Sequence, residues 1–297
     1  MSAAAERVKP EKRVDPQAEE RREDRAAIAP LGLRNELRAI KVVWHRELLR
    51  FMKDRPRLIA GVMQPVLYLF VMGTGLSAMV PAASGVPYRT FLFPGVLCMA
   101  VLFTCFFSAG SLVWDRELGF MREMMVAPVR RSSILIGKCL GGTTVGAFQG
   151  TVMLVIGAIG GVPMSPTLVV TVLLELIVIC FSITALGLLL ATRMRSIQAF
   201  MAVMQMVLLP MFFASGALYP LTGLPGWLEV LTRLDPLSYA VTPLRRAVLD
   251  ASGKGALAPM VTWGTFVVPI WLDLVIIAVC AGAALTAATR RFSRDDA

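Results

Sequence analysis

The chain has 297 residues, of which 56% are apolar and only 17% are charged, and its formal net charge is +10. A soluble globular domain carries about 25% charged residues, so this composition excludes an ordinary soluble fold and favours a polytopic membrane protein. The five cysteines form no C-x-x-C or cysteine–histidine cluster, which argues against a structural zinc site or a disulfide framework.

The first 33 residues are predicted to form a disordered cytoplasmic tail. Residues 1–30 hold seven basic and seven acidic side chains and almost no large apolar ones, a composition that cannot bury a core. We expect no cleavable signal peptide, because no apolar run falls within about the first 30 residues. Residues 34–297 are predicted to form a single membrane domain.

An amphipathic helix is predicted within residues 34–57, where Pro56 acts as the helix breaker. Its apolar residues recur at steps of three and four, and charged residues occupy the opposite side. The apolar residues are Leu37, Ile40, Trp44, Leu48 and Phe51. We expect this helix to lie in the headgroup layer with its apolar face toward the lipid. The alternative is a cytosolic helix that packs on a partner.

Six apolar segments follow, each long enough to cross about 30 Å of hydrocarbon at about 1.5 Å per residue. The predicted spans are Leu58–Met79, Phe91–Val113, Ile134–Gly160, Leu168–Thr192, Gln198–Leu218 and Trp263–Thr289. The third span contains glycines at overlapping four-residue spacings, which permit close approach of helix backbones. The pattern indicates either a tight helix contact, within or between subunits, or the ordinary glycine content of a membrane helix.

Basic residues are distributed unequally between the two sides of these spans. With a cytoplasmic N-terminus, and leaving out the charge-balanced tail, the inner segments hold 18 lysines and arginines and the outer segments five. Positive charge collects on the cytoplasmic side, so we predict that both termini are cytoplasmic in the plasma membrane of a prokaryote. The positive charge then faces anionic inner-leaflet lipid, and no nucleic-acid partner is needed to explain it.

The charged stretch Trp114–Lys138 separates the second and third spans and carries eight charged residues. Its first part repeats large apolar residues at helical spacing, which predicts a helix with one apolar stripe that Pro128 closes. The stripe consists of Trp114, Leu118, Met121 and Met125, and the charges available for polar contacts are Arg116, Glu117, Arg122 and Glu123.

Two acidic residues fall inside the predicted spans, Glu175 in the fourth and Asp273 in the sixth. A charge at mid-bilayer costs about 2.5–3.5 kcal/mol on insertion scales, and counting back from the basic helix ends places both acids near the outer ends. They are candidates to line a substrate path, to pair with arginines of the outer segment or to carry protons. Ordinary acids at the outer interface are the alternative.

The segment Tyr219–Gly255, between the last two spans, is predicted to form an outer re-entrant helical hairpin. Its break is expected at Asp235-Pro236, because the residue before a proline avoids the helical region. Apolar residues keep helical spacing on both arms, and Trp227 and Tyr239 suit a membrane interface. We therefore expect both helices to dip into the outer leaflet, where each helix satisfies its own backbone hydrogen bonds.

The sequence lacks the motifs of nucleotide hydrolysis and of intramembrane catalysis. No G-x-x-x-x-G-K-[ST] loop occurs, so we expect no nucleotide hydrolysis by this chain. No H-E-x-x-H or G-x-S-x-G motif occurs, and the single histidine, His45, lies on the amphipathic helix outside the predicted spans. We therefore predict a transport protein that is not an enzyme and that binds no cofactor or metal itself.

Three patterns make the chain resemble the membrane subunit of an ABC transporter of the type-2 exporter class. They are "RELGFMREMMVAPVRRSSILIGK" after the second span, "LDPLSYAVTPLRRAV" before the sixth, and the layout of an amphipathic helix, six spans and an outer hairpin. "MREMMVAP" is most similar to the drug-efflux subgroup that includes daunorubicin-resistance permeases. The resemblance spans about residues 34 to 292 and implies an all-α polytopic membrane fold.

The resemblance also implies that the charged stretch contains a cytoplasmic coupling helix, over residues 115–126, that docks on an ATPase subunit. Two ATPase copies would bind ATP and magnesium, and a second permease copy or a paralogue would complete the dimer. The expected function is ATP-driven export of an amphiphilic drug, lipid or glycan. A proton-coupled secondary transporter that uses Glu175 or Asp273 is the alternative.

The predicted topology can be tested with single cysteines. In intact cells, Ser252→Cys is expected to react with a membrane-impermeant thiol reagent and Ser132→Cys is not, because the basic-residue bias places Ser132 on the cytoplasmic side. The unsubstituted protein reports any reaction of the five native cysteines. The reverse labelling pattern would show that the orientation is wrong.

Overall fold

The computed structural model describes residues 32–77, 87–120, 130–219, 221, 223–255, 261–263 and 266–294. In chain order the elements are α1 (Leu33–Lys53), α2 (Arg55–Leu67), a π-helical turn (Tyr68–Met72), α3 (Gly73–Ser77), α4 (Tyr88–Ala109), α5 (Ser111–Glu117), α6 (Arg131–Ile159), α7 (Pro166–Ala191), α8 (Ile197–Ala214), α9 (Gly226–Leu234), α10 (Pro236–Ala251), β1 (Thr262–Trp263), β2 (Phe266–Val267) and α11 (Ile270–Arg294). The predicted N-terminal tail lies almost wholly outside the described residues.

The described residues contain six helices that are long and apolar enough to cross a membrane, as the sequence predicted. They are Arg55–Gly75, Tyr88–Glu117, Arg131–Ile159, Pro166–Ala191, Ile197–Ala214 and Ile270–Phe292. The sixth begins later than the predicted Trp263, because β1 and β2 form a short antiparallel pair just before it. The described part of the fold is therefore α-helical apart from the π-helical turn and this pair of two-residue strands.

Helix α4 lies at the centre of the bundle. It packs against α6 and α7, and α11 closes the group against α7. Nearly every residue of α4 is buried, whereas the first span on α2 and the fifth span on α8 lie at the periphery and bury few residues. The core is thus built from the second, third, fourth and sixth spans.

Helix α1 is held against α6 by two glycines of the third span. A Cβ atom on Gly137 would lie 2.8 Å from Cβ of Val43, and one on Gly141 would lie 2.7 Å from Cβ of Glu47. Only glycine permits this approach, because real Cβ atoms essentially never come so close. The amphipathic helix therefore packs on its own chain.

Helix α1 buries a charged residue on its predicted apolar side, and the orientation of that side toward lipid stays a prediction. Leu37 is 59% exposed, whereas the acidic residue Glu47 is 4% exposed and lies between the helices. The prediction that charges occupy only the outward side is wrong at Glu47. The reason is a buried cation on α6, described below, whose charge this carboxylate neutralises.

A second glycine face of α6 packs against α4 and α7. Gly142 abuts Thr184, Gly146 abuts Cys105 and Cys180, and Gly150 abuts Leu176. The glycine spacing thus makes tight helix contacts within the chain, which was one of the two open interpretations. The glycines of α6 contact three neighbouring helices, because the spacings fall on two different faces of the helix.

The helix break predicted at Asp235-Pro236 is confirmed. Helix α9 ends at Leu234, and Asp235 caps α10 by accepting a hydrogen bond from the Leu237 backbone N–H at 3.0 Å. Trp227 is 71% exposed, and its predicted place at a membrane interface stays a prediction.

The interfacial position predicted for Tyr239 is wrong, because this side chain is buried. Its hydroxyl donates to the carbonyl of Arg233 at 2.8 Å and accepts from Trp263 Nε1 at 3.0 Å. The second arm of the hairpin, α10, is therefore part of the core, where it packs on α4, α7 and α11.

The glycine contact between α6 and its neighbours predicts a clear difference between two equally small substitutions. Gly146→Ala is expected to destabilise the protein by about 1–3 kcal/mol, because the added methyl would lie 2.9 Å from Sγ of Cys180. Gly282→Ala is the matched control, since no atom lies within 4 Å of the methyl that it adds to α11. Thermal unfolding in detergent measures both, and an equal effect of the two would contradict the packing.

Candidate functional site

A buried ion network joins α1, α5 and α6 at one end of the bundle, and we call it the basal network. Lys138 Nζ donates to Glu47 Oε1 at 2.8 Å, to Asp115 Oδ2 at 2.6 Å and to Ser111 Oγ at 2.9 Å. Lys138 is 2% exposed, Glu47 is 4% exposed and Asp115 is 1% exposed. An ammonium group has three donors, so all three are satisfied in a place that water hardly reaches.

Two arginines of α1 complete the basal network from outside. Arg46 forms an ion pair with Asp115, and Arg50 Nη1 lies 3.2 Å from Asp115 Oδ1. Both arginines are more than a third exposed, so their charges remain partly hydrated. The network therefore balances two carboxylates against one buried and two half-exposed cations.

The basal network changes the protonation behaviour of Glu47. Burial alone would raise the pKa of this carboxyl, but the charge and hydrogen bond of Lys138 outweigh burial and hold the pKa below its ordinary value. Ionised Glu47 therefore stabilises the fold above its ordinary pKa. That contribution is lost as the pH falls through the lowered folded-state pKa.

The end of α5 is fastened to the turn that joins α7 and α8. Arg116 Nη1 donates to the carbonyls of Thr192 at 3.3 Å and Met194 at 3.1 Å, and Glu117 Oε2 accepts from the Ile197 backbone N–H at 2.8 Å. A carboxylate at the first turn of a helix is favourable, so Glu117 also stabilises the start of α8. These two side chains, predicted for contacts with a partner, thus make contacts within the chain.

The apolar stripe predicted for the charged stretch is only partly within the described residues. Trp114 and Leu118 are 46% and 56% exposed, at the end of α5 and just beyond it. The remaining predicted residues, Met121, Arg122, Glu123 and Met125, lie outside the described residues. The predicted helix is therefore seen only at its beginning.

An open-sided cavity of about 1160 Å³ lies between α2, α4, α5 and α8, with further lining residues from α1 and α6, and we call it the central cavity. Its apolar lining includes Met99, Phe103, Phe107, Met201 and Met204. Its polar lining includes four glutamines, Gln64, Gln149, Gln198 and Gln205. A cavity of this size and mixed lining suits an amphiphilic molecule.

The central cavity and the basal network share residues. Arg50 and Ser111 belong to both, and Trp114 and Leu118 line the cavity where α5 leads into the charged stretch. A displacement of α5 would therefore move part of the cavity lining. Glu117 of the same stretch also accepts from the backbone N–H of Ile197, another lining residue, so the charged stretch reaches the cavity both through α5 and at the start of α8.

The two intramembrane acids lie elsewhere. Asp273 is the fourth residue of α11, close to the end of the span as predicted, and is fully buried. Glu175 is the tenth residue of α7, about 14 Å from its first residue, and so lies deeper than predicted because α7 begins at Pro166. Neither acid is part of the lining of the central cavity.

No arginine of the hairpin is seen to pair with these acids among the described contacts. Arg245 is 1% exposed and instead donates to the carbonyls of Gly216 at 2.8 Å and Ala217 at 2.9 Å, with its guanidinium 4.3 Å from the centre of the Phe91 ring. Oε2 of Glu175 and both carboxylate oxygens of Asp273 have no hydrogen-bond partner in the described part of the chain.

Comparison with known proteins supports a transport role. A family model described as ABC-2 type transporter matches residues 38–249. The chain is 31% identical to transport permease ycf38 of Cyanophora paradoxa over 200 residues, 65% of this chain and 69% of that protein.

Two bacterial proteins are similar over a longer part of the chain. Identity to inner membrane transport permease YadH of Escherichia coli K12 is 28% over 235 residues, 77% of this chain and 89% of YadH. Identity to nodulation protein J of Sinorhizobium fredii is 27% over 219 residues, 72% of this chain and 82% of that protein.

The basal network predicts strong coupling between its members. Lys138→Met leaves two buried carboxylates with less compensation and is expected to cost about 3–5 kcal/mol of unfolding free energy. Adding Glu47→Gln should restore part of the loss, so the double variant costs less than the sum of the two single ones. Lys41→Met, on the exposed surface of α1, is the matched control with little effect. Thermal or denaturant unfolding measures the cycle, and additive costs would contradict the network.

Proposed function

Because the chain belongs to the ABC-2 type transporter family, we propose that it is the membrane subunit of an ATP-driven exporter whose ATP is hydrolysed by a separate ATPase subunit. The observation that carries this proposal is the junction of the central cavity with the basal network at α5. The cavity would hold the cargo, and the basal network would connect the cavity rigidly to the charged stretch. ATP and magnesium would be bound by the ATPase and not by this chain.

The cargo proposed for the central cavity is an amphiphile, such as a drug, a lipid or a glycan with an apolar anchor. Methionine and phenylalanine side chains offer an adaptable apolar surface, and the glutamines offer both hydrogen-bond donors and acceptors. The names of the relatives, transport permease and nodulation protein, do not restrict the cargo to drugs. Drug efflux is therefore one case within the proposed class.

The ATPase contact is proposed at the apolar stripe of the charged stretch. Trp114 and Leu118 are large, exposed and at its beginning, and Arg122 and Glu123 would add polar contacts. Arg116 and Glu117 would hold this surface in position, because they bind the end of α5 to the residues at the start of α8. Force applied to the stretch would then reach α5, the basal network and the cavity in that order.

The proposed assembly contains two ATPase copies and two permease subunits, either identical or paralogous, surrounded by lipid. It lies in the plasma membrane of a prokaryote with both termini in the cytoplasm. A second permease copy would complete a transport path around the open side of the central cavity.

A proton-coupled secondary transporter is the second candidate. The observation that favours it is the pair of buried acids, Glu175 and Asp273, because Oε2 of Glu175 and both carboxylate oxygens of Asp273 lack hydrogen-bond partners among the described residues. Neither acid lines the central cavity, so a proton carried there would not meet cargo held in it. This separation favours the ATP-driven mechanism.

Proteoliposomes distinguish these two functions. Protein purified with its cognate ABC ATPase is tested with fluorescent drug, lipid and glycolipid probes, with ATP or with a proton gradient. We expect co-purification of the ATPase, and transport of at least one probe that requires ATP and persists with a protonophore. Transport that needs only the proton gradient would overturn the proposal, and so would absence of any ATPase association.

The proposed coupling segment can be tested by exchanging two charges. Arg122→Glu combined with Glu123→Arg keeps the net charge, so folding and membrane expression are expected to survive. At a desolvated interface misplaced charges cost several kcal/mol, whereas exposed pairs contribute only about 0–1 kcal/mol. ATPase association or ATP-driven transport should therefore be lost.

A matched control exchanges the charges of an ion pair on the hairpin. Glu229 and Arg233 form an i, i+4 pair on α9, and Glu229→Arg combined with Arg233→Glu should leave ATPase association unchanged. If the Arg122–Glu123 exchange retains both association and transport, those residues do not take part in coupling.

A further inference from the structure

We infer that the central cavity contains an anion-binding subsite at Arg57, and that the cavity therefore selects amphiphiles with an anionic head group. The inference deepens the proposed function, on which it rests for its role in transport. It also stands as a statement about binding, which can be measured without an ATPase or any transport.

Arg57 is the third residue of α2 and lines the central cavity. Its Nη2 atom lies 3.5 Å from the carbonyl oxygen of Thr104, a long hydrogen bond, and its guanidinium is 5.3 Å from the centre of the Phe107 ring. Aromatic faces orient a guanidinium but do not neutralise its charge. The contacts therefore position Arg57 and leave most of its donors available.

Asp54 lines the cavity beside Arg57, and the carboxylates in this region have hydrogen bonds of their own. Asp54 accepts a hydrogen bond from the backbone N–H of Arg57 at 3.3 Å, which caps α2, and no ion pair within 4.0 Å joins their side chains in the described part of the chain. Asp115 is held by Lys138 and by the arginines of α1. Arg57 is thus a cavity cation that the described carboxylates do not pair.

The other cation of the lining, Arg50, differs in this respect. Its Nη1 atom is bound to Asp115, so its charge is already compensated by the basal network. An anionic ligand gains most at a cation that it does not have to compete for. This places the head group at Arg57 and not at Arg50.

Neutral hydrogen-bonding groups surround the same part of the cavity. Gln149 donates from Nε2 to the carbonyl of Gly61 at 3.0 Å, and both residues line the cavity with Thr104. A Cβ atom on Gly61 would lie 3.7 Å from Gln149 Nε2 and from Thr104 Oγ1, so glycine leaves the space beside these polar groups open. The head group would find hydrogen-bond partners here in addition to the charge.

The apolar lining determines the chemistry of the rest of the ligand, which is its tail. Met99, Phe103 and Met204 line the same cavity and offer a surface for an alkyl or aromatic tail. Guanidinium groups bind phosphate and carboxylate with paired hydrogen bonds, whereas a cationic head group would be repelled by Arg57. A phosphate or carboxylate joined to an apolar tail is therefore the chemical class that this cavity fits.

The test measures binding of dodecyl phosphate to the purified protein in phosphatidylcholine nanodiscs, with dodecylphosphocholine as the zwitterionic control and inorganic phosphate as the control without a tail. The readout is the change in tryptophan fluorescence, corrected by the same titration of Trp114→Phe, since Trp114 lines the cavity. The ligand partitions into the same bilayer in every titration, so this contribution cancels when the affinities of the variants are compared. We expect dodecyl phosphate to bind at least tenfold more tightly than either control.

Arg57→Gln should weaken dodecyl phosphate binding by about tenfold or more, the loss of one hydrogen bond between charged groups, and should leave dodecylphosphocholine binding unchanged. Arg55→Gln is the matched control, because Arg55 is exposed on the same helix and does not line the cavity. If Arg55→Gln weakens binding equally, general surface charge and not the subsite attracts the anion, and the inference fails.

Two further outcomes decide the inference even if Arg57→Gln does not fold. Equal affinity of the wild-type protein for dodecyl phosphate and dodecylphosphocholine overturns it. Competition by inorganic phosphate as strong as that of dodecyl phosphate also overturns the amphiphile subsite. ATPase association and ATP-driven transport of other probes would survive either result, so failure of the subsite is distinguishable from failure of the proposed function.

Discussion

The basal end of this molecule depends on one interaction, the ammonium group of Lys138 placed inside an otherwise apolar helix. A buried charge is tolerated only where its partners are also buried and well positioned, and here Glu47 and Asp115 come from two other elements. The ion network therefore fixes α1 and α5 relative to α6 at the same time. Without it, the amphipathic helix would keep its apolar contacts and the polar contacts of Glu36 and Trp44 with α6 and its first turn, none of which fixes α5.

Glycine makes this interaction geometrically possible. Gly137 and Gly141 flank Lys138 in sequence and bring the backbone of α1 so near to α6 that Glu47 lies beside the ammonium group. The other glycine face, at Gly142 and Gly146, presses α6 into α4 and α7. Both the core helices and the amphipathic helix therefore pack against α6.

The sequence predicts the parts of this architecture that depend on local patterns. Span number and the break at Asp235-Pro236 follow from apolar length and from proline stereochemistry, and both agree with the structure. The inward position of Glu47 could not be predicted, because its partner Lys138 is 91 residues away in sequence. A prediction from helical periodicity alone places every charged side chain on the outward face. The burial of Arg245 was missed for the same reason, since the carbonyls that accept from it, of Gly216 and Ala217, are 29 and 28 residues away. The burial of Tyr239 was missed because its hydroxyl contacts Trp263, 24 residues away, and the carbonyl of Arg233 across the helix break. The central cavity has no sequence signal, because its lining comes from six separate helices.

The distribution of tight and loose packing also bears on how a transporter of this kind would move. Helices α1, α5 and α6 are joined by buried ion pairs and glycine contacts, so they would shift together as one body when the charged stretch is displaced. Helices α2 and α8, which form much of the cavity wall, bury few of their residues. Relative motion is therefore cheapest at the cavity, because it breaks few contacts there and none of the ion pairs of the basal network. Under the proposed function, the fold directs a displacement from the ATPase side to the walls around the cargo while the core stays intact.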